Sequence, residues 1–104
     1  MNRQEIYEND GKLYDVVIDI VDERSIQIHL DPKYIDYIKG IKGIARIFMG
    51  KSINIYDIYL DKRYDPNFVV AMILIALRYN SEKDSIIVKF NPGGVHELKR
   101  SPSV

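Results

Sequence analysis

Two histidines, a file of aspartates and one run of basic residues are the side chains that could carry chemistry in this 104-residue sequence. His29 and His96 are the available imidazole bases. Neither sits in a pattern with Ser or Asp that fixes a nucleophile, a base and a group to orient it. Both read as solvent-facing histidines, His29 on the outward side of a strand and His96 in a C-terminal tail. Asp57, Asp61 and Asp65 recur every four residues. In an extended strand that spacing separates Asp57 from Asp61 by about 13 Å. One cation, held about 2.3–2.6 Å from its ligands, could not bridge that gap. These carboxylates, like Asp15 and Asp19, read as solubilising charges on an open sheet face. The chain has no cysteine, which excludes a disulfide framework, a thiolate metal site and a cysteine nucleophile. No P-loop or dinucleotide fingerprint occurs. No cofactor or metal is expected.

Gly40-Ile41-Lys42-Gly43 matches the GXXG pattern by which KH domains grip a nucleic-acid backbone. Here it joins a helix to a strand rather than two helices, so it reads as a helix C-cap followed by a tight turn. Charge is polarised along the chain. Residues 38–56 contain Lys39, Lys42, Arg46 and Lys51 and no acid, whereas residues 1–22 hold six acids and two bases. A positive edge of that kind suits phosphate or an acidic protein. Tyr56 and Tyr59 follow on the next strand, on opposite faces, and Phe48 shares a face with Arg46. An open sheet face carrying Arg46, Phe48, a tyrosine and Lys89 would resemble base-stacking sheets in chemistry only. Lys39, Lys42, Arg46, Lys51 and Tyr56 are therefore the candidate residues for binding RNA or single-stranded DNA.

The elements that must position these residues follow from turn and capping signals. Asn9-Asp10-Gly11 closes a hairpin between residues 4–8 and a long second arm, 12–21. Ser25 to Leu30 alternates with Ile26, Ile28 and Leu30 inward. Asp31-Pro32 and Asp65-Pro66 are helix starts, with Asp as N-cap and Pro in the first turn. They open helices over 32–39 and 66–79. Strands are expected over 44–49, 53–60 and 85–90. The order is β-β-β-α-β-β-α-β. The fold class is α+β, an antiparallel sheet of five to six strands with two helices. Its βαββαβ core is a split-βαβ, ferredoxin-like pattern with the N-terminal hairpin as an extension. Residues 1–94 form one domain and 95–104 a flexible tail or short helix fragment.

Length and composition fit one globular domain, with 46% apolar and 29% charged residues and zero net charge. The 17 isoleucines against 6 leucines hint at an A/T-rich genome, archaeal or viral. No apolar leader opens the chain and the longest apolar run, 68–77, is ten residues. No membrane association is expected; a cytoplasmic location is, in a host cytoplasm if the source is viral.

That run, FVVAMILIAL, is apolar on every side of the second helix. A helix lying on a sheet normally keeps a polar outer stripe. Something must cover it: the chain's own hairpin or tail, or a second copy. Val69, Ala71, Met72, Ile75 and Ala76 are the candidate dimer contacts. The expected function is a small non-enzymatic protein-interaction module, such as a regulator, assembly subunit or virus-encoded inhibitor. Its partners are a second copy and an unidentified protein. The alternative is the RNA or single-stranded DNA binder with a basic edge at 39–51.

Overall fold

In the computed structural model, residues 7–100 are described. They form an α+β fold of eight strands and two helices. β1 (Tyr7–Asn9) and β2 (Lys12–Tyr14) pair as a short ribbon, and β3 spans Val16–Asp22 and β4 Ser25–His29. A 3-10 turn at Pro32–Tyr34 leads into α1 (Ile35–Ile38), then β5 (Ile44–Met49) and β6 (Ile55–Leu60). α2 (Pro66–Asn80), β7 (Ser85–Asn91) and β8 (Val95–Lys99) complete the chain. The turn at Asp10-Gly11 has positive φ at both residues, 56° and 76°, as a two-residue type I′ hairpin requires. Asp31 and Asp65 each accept a backbone N–H two residues on, from Lys33 at 3.0 Å and Asn67 at 2.8 Å. Asp65 caps α2, whereas Asp31 caps the 3-10 turn, so the helix expected over 32–39 is that turn followed by only four α-helical residues.

The main sheet runs β5-β6-β4-β3-β7-β8. It is three hairpins laid side by side: β5–β6, β4–β3 and β7–β8, each antiparallel. The β6–β4 junction is antiparallel and the β3–β7 junction parallel. Three expectations change here. β3 belongs to the expected N-terminal extension, yet it occupies the middle of the sheet. It takes the place beside β4 that β7 would hold in a four-stranded split-βαβ core. The unit β4-α1-β5 still straddles one strand, but β6-α2-β7 straddles two. The expected single arm 12–21 is also divided. Asp15 breaks it, because its N–H donates to the Ile87 carbonyl and its carboxylate accepts from the Ile87 N–H at 2.8 Å and pairs with Lys83. The third correction concerns residues 95–99. They were expected as tail and instead pair along β7, from Val95 opposite Lys89 to Lys99 opposite Ser85. Residues 1–6 and 101–104, including part of the expected first arm, lie outside the described residues.

The core lies between the sheet and the helices. Ile18, Ile28, Ile58 and Val88 come from adjacent central strands and meet Ile38 of α1 and Val69, Ile73 and Leu77 of α2. All are fully buried or nearly so, and each such side chain contributes about 1.5–3 kcal/mol. The β-branched majority suits these strands, where isoleucine packs on the pleat with little rotamer loss. Gly43 sits directly under α2 with φ 97°, and a Cβ there would fall 2.4 Å from Val69 Cγ2. In the GXXG segment Gly40 follows the end of α1 without the positive φ of a glycine cap, and Gly43 is a close-packing glycine.

Candidate functional site

Three surfaces gather the residues that could act on something else. The first is the sheet face opposite the helices. β3, β4 and β7 place Asp19, His29 and Asn91 together at its centre. His29 Nε2 lies 3.0 Å from Asp19 Oδ2, and the Asn91 amide donates to Asp19 Oδ1 at 2.8 Å. Tyr7 of the β1–β2 ribbon meets His29 edge to face, with ring centroids 6.2 Å apart. The ribbon therefore lies over this face, where Val17, cross-strand from His29, is also buried. His29 is half-buried and paired, not the free solvent-facing histidine expected. The signal was the β3–β4 hairpin register, which sets Asp19 diagonal to His29. Both oxygens of the Asp19 carboxylate are thus engaged within the cluster, one by His29 and one by Asn91. The cluster presents no nucleophile, and no group of three or more metal-ligating side chains forms among the described residues.

The aspartates spaced by four are each used structurally. Asp57 accepts from the Gln27 amide at 3.0 Å. Asp61 accepts three bonds from the Arg63 guanidinium and one from its N–H. The Arg63 side chain, before any other cause, holds the Asp61 carboxyl down at about 2. Asp65 caps α2.

The second surface is the β5 edge. Lys39 ends α1, Lys42 precedes Gly43, Arg46 lies in β5 and Lys51 in the turn beyond it. Lys39 and Arg46 both border a groove of about 400 Å³ between α1 and β5, whose lining includes Ile35, Ile44, Ile47 and Tyr56. Lys39 is paired with Asp36 at 2.8 Å. Arg46, Lys42 and Lys51 have no ion pair among the described residues. Tyr56 is 7% exposed and belongs to the core, which corrects its assignment as a base-stacking residue. It shares parity with Ile58 and Leu60, a signal present in the sequence. Tyr59 is the outward tyrosine. It pairs cross-strand with Arg46 and packs edge to face on Phe48 at 5.9 Å. Arg46, Phe48 and Tyr59 thus share one face as expected, but Lys89 does not join them. β7 is four strand spacings from β5, about 19 Å. Asp57 and Asp19 stand between, and Lys89 donates to the Gly93 carbonyl at 3.2 Å.

The third surface is the outside of α2. Val69 packs wholly inside, so it cannot be an intersubunit contact. Ala71 and Ile75 are exposed, and Met72 and Ala76 are half-buried. The spacing 68, 72, 75, 79 also brings Phe68 and Tyr79 onto this stripe, two residues the sequence argument left out. Phe68 is 54%, Ile75 58% and Tyr79 86% exposed. Among the described residues neither rival cover reaches them. The ribbon lies on the opposite side of the sheet, and β8 lies in the sheet plane at its margin.

No described helix is long and apolar enough to cross a membrane. Comparison of the chain with family models, with curated proteins and with solved structures finds no match to any of them.

Proposed function

We propose that the protein is a non-enzymatic interaction module that works as a homodimer through the outer face of α2. One observation carries this reading: Phe68, Ile75 and Tyr79 stand more than half exposed along one helical stripe. Contiguous apolar patches of this kind mark interaction surfaces. A second copy suits the patch for two reasons. The helix carries one charged side chain, Arg78, so two copies meet without repulsion across the stripe. Ala71 and Ala76 flank Met72 and Ile75, and small residues let two helices approach closely. A two-fold axis buries the stripe of both copies with one contact, and each large side chain so covered contributes about 1.5–3 kcal/mol.

Light scattering at micromolar concentration tests this. The expected mass is twice the 12.1 kDa of the chain, and Ile75→Lys is expected to halve it while leaving the circular dichroism spectrum unchanged. A native protein at single-chain mass, or a variant that stays dimeric, overturns the reading.

The nucleic-acid alternative loses two supports: Tyr56 is buried, and the face bearing Phe48 places Asp57 directly beside it. It retains only the basic residues of the β5 edge, which a protein ligand uses equally well.

A further inference from the structure

We propose that the groove between α1 and β5 receives an extended, acidic segment of a partner protein, which joins the sheet alongside β5. This surface is separate from the α2 stripe and stands or falls independently of it.

The strand order leaves β5 bonded to β6 on one side and open on the other. An open edge is a row of backbone donors and acceptors ready to pair. β5 is six residues long, about 20 Å of template. Beside it runs the groove of about 400 Å³, a volume in the range of real ligand sites. This is the arrangement that strand addition uses: main-chain bonds along the edge, and pockets for alternate side chains.

The chemistry of the occupant follows from the two sides of β5. On the helix side, Ile44, Ile47 and Met49 face the groove with Ile35 across from them, so the added strand places apolar side chains there. On the other side stand Arg46 and Phe48, and Arg46 has no acid paired with it among the described residues. Lys42 and Lys51 lie just beyond the two ends of the strand, and the whole stretch 38–56 holds no carboxylate. The side chains of the added strand that project beside Arg46 are therefore acidic. The matching segment alternates apolar and acidic residues over about six positions.

A second copy of this chain does not fit the edge. Pairing two β5 strands brings two basic, acid-free edges together, and like charges facing across strands are destabilising. A nucleic acid fits less well than a peptide. It has no amide ladder to pair with the edge, and Asp57 sits where phosphate or base would follow Phe48.

The test uses two synthetic hexapeptide libraries. Both alternate Val, Ile or Leu with charged residues; one carries Glu or Asp and the other Lys. Binding is read by fluorescence polarisation, and the site by backbone amide shifts of the protein. Acidic peptides are expected to bind, basic ones not, with shifts confined to residues 35–39 and 44–49. Arg46→Glu combined with Lys39→Glu is expected to weaken the acidic peptides about tenfold and turn the preference toward the basic library. Both side chains are exposed, and an unchanged thermal midpoint confirms that the variant folds. The proposal is overturned if no acidic peptide binds, if the shifts fall elsewhere, or if charge reversal leaves affinity and preference unchanged. Tighter binding of oligo-dT or oligo-U at the same amides, or concentration-dependent self-pairing of β5, overturns it as well.

Discussion

The two margins of the sheet are built on opposite plans. β8 carries Glu97 and Lys99, lies on the far side of β7 and is fastened from within the molecule. The Arg78 guanidinium at the end of α2 donates to the Leu98 carbonyl at 2.6 Å, to Ser81 at 3.3 Å, and to Lys83. Arg100 reaches the same Ser81 carbonyl at 3.3 Å. Charged residues on an edge oppose pairing with other chains. β5 has no such protection. Its sequence is IARIFM, Phe48 and Met49 are about half exposed or more, and its one charge, Arg46, has no acid paired with it among the described residues. A bulge between Ile44 and Arg46 disturbs only its first residues. The contrast teaches that guarding an edge and offering one are separate features, and this chain uses each once.

The largest expected break in this comparison is at Arg78. Arg78→Ala leaves several partly buried carbonyls without their charged donor, and a net loss of about 2–3 kcal/mol is expected. Amide exchange should speed up in β8 and in residues 81–84 while β5 and β6 keep their protection. Uniform loss across the sheet would mean that β8 is not separately fastened. A smaller effect is expected from exchanging the guards. Met49→Lys should change stability by no more than about 0.5 kcal/mol yet slow thermal aggregation. Glu97→Val with Lys99→Val should hasten it, because a second unguarded edge appears. Turbidity during heating separates these outcomes, and equal aggregation of all three proteins would remove the distinction between the margins.

The smallest effect concerns the anchor on the β5 side. Asp61 donates its N–H to the Gly43 carbonyl at 2.7 Å, tying the exit of β6 to the entrance of β5. Its carboxylate is held at about 2, against an ordinary 3.8, chiefly by the Arg63 side chain. A carboxyl lowered on folding stabilises the folded state above its unfolded pKa. That contribution fades as pH falls from about 4 through about 2. Asp61→Asn should flatten this part of the acid unfolding curve, slightly because the group is at the surface. An identical acid limb in both proteins would show that the pair does not contribute.

Much of the local structure was legible. Asp10-Gly11, Asp31-Pro32 and Asp65-Pro66 mark the turn and both helix starts, because capping and positive φ are chain-local requirements. Alternation at Ile26, Ile28 and Leu30 identified the inward face for the same reason. Alternation does not say which strand lies next door, so the position of β3 between β4 and β7 could not be read. β8 was missed because the apolar residues of VHELK, Val95 and Leu98, fall three apart instead of alternating, and the segment follows the strong breakers Asn-Pro-Gly-Gly. Its pairing with β7 and the Arg78 contacts are tertiary. Of the candidate sites, the basic edge was visible as composition. The groove that Lys39 and Arg46 border depends on α1 lying beside β5, which no spacing encodes. On α2, the uniform apolar run hid which third of the helix faces out.

The parallel seam between β3 and β7 has a consequence for how the protein is made. The three hairpins of the sheet each close over a short stretch of chain. The seam instead joins Val16–Asp19 to Val88–Asn91, and contacts of such long range form slowly. During synthesis the β4-β6-β5 half, with α1, can assemble as soon as Leu60 has left the ribosome. The outward strand β3 must then wait with one margin bare until β7 arrives. For that interval the nascent chain offers a central strand, rich in valine and isoleucine, to any neighbour.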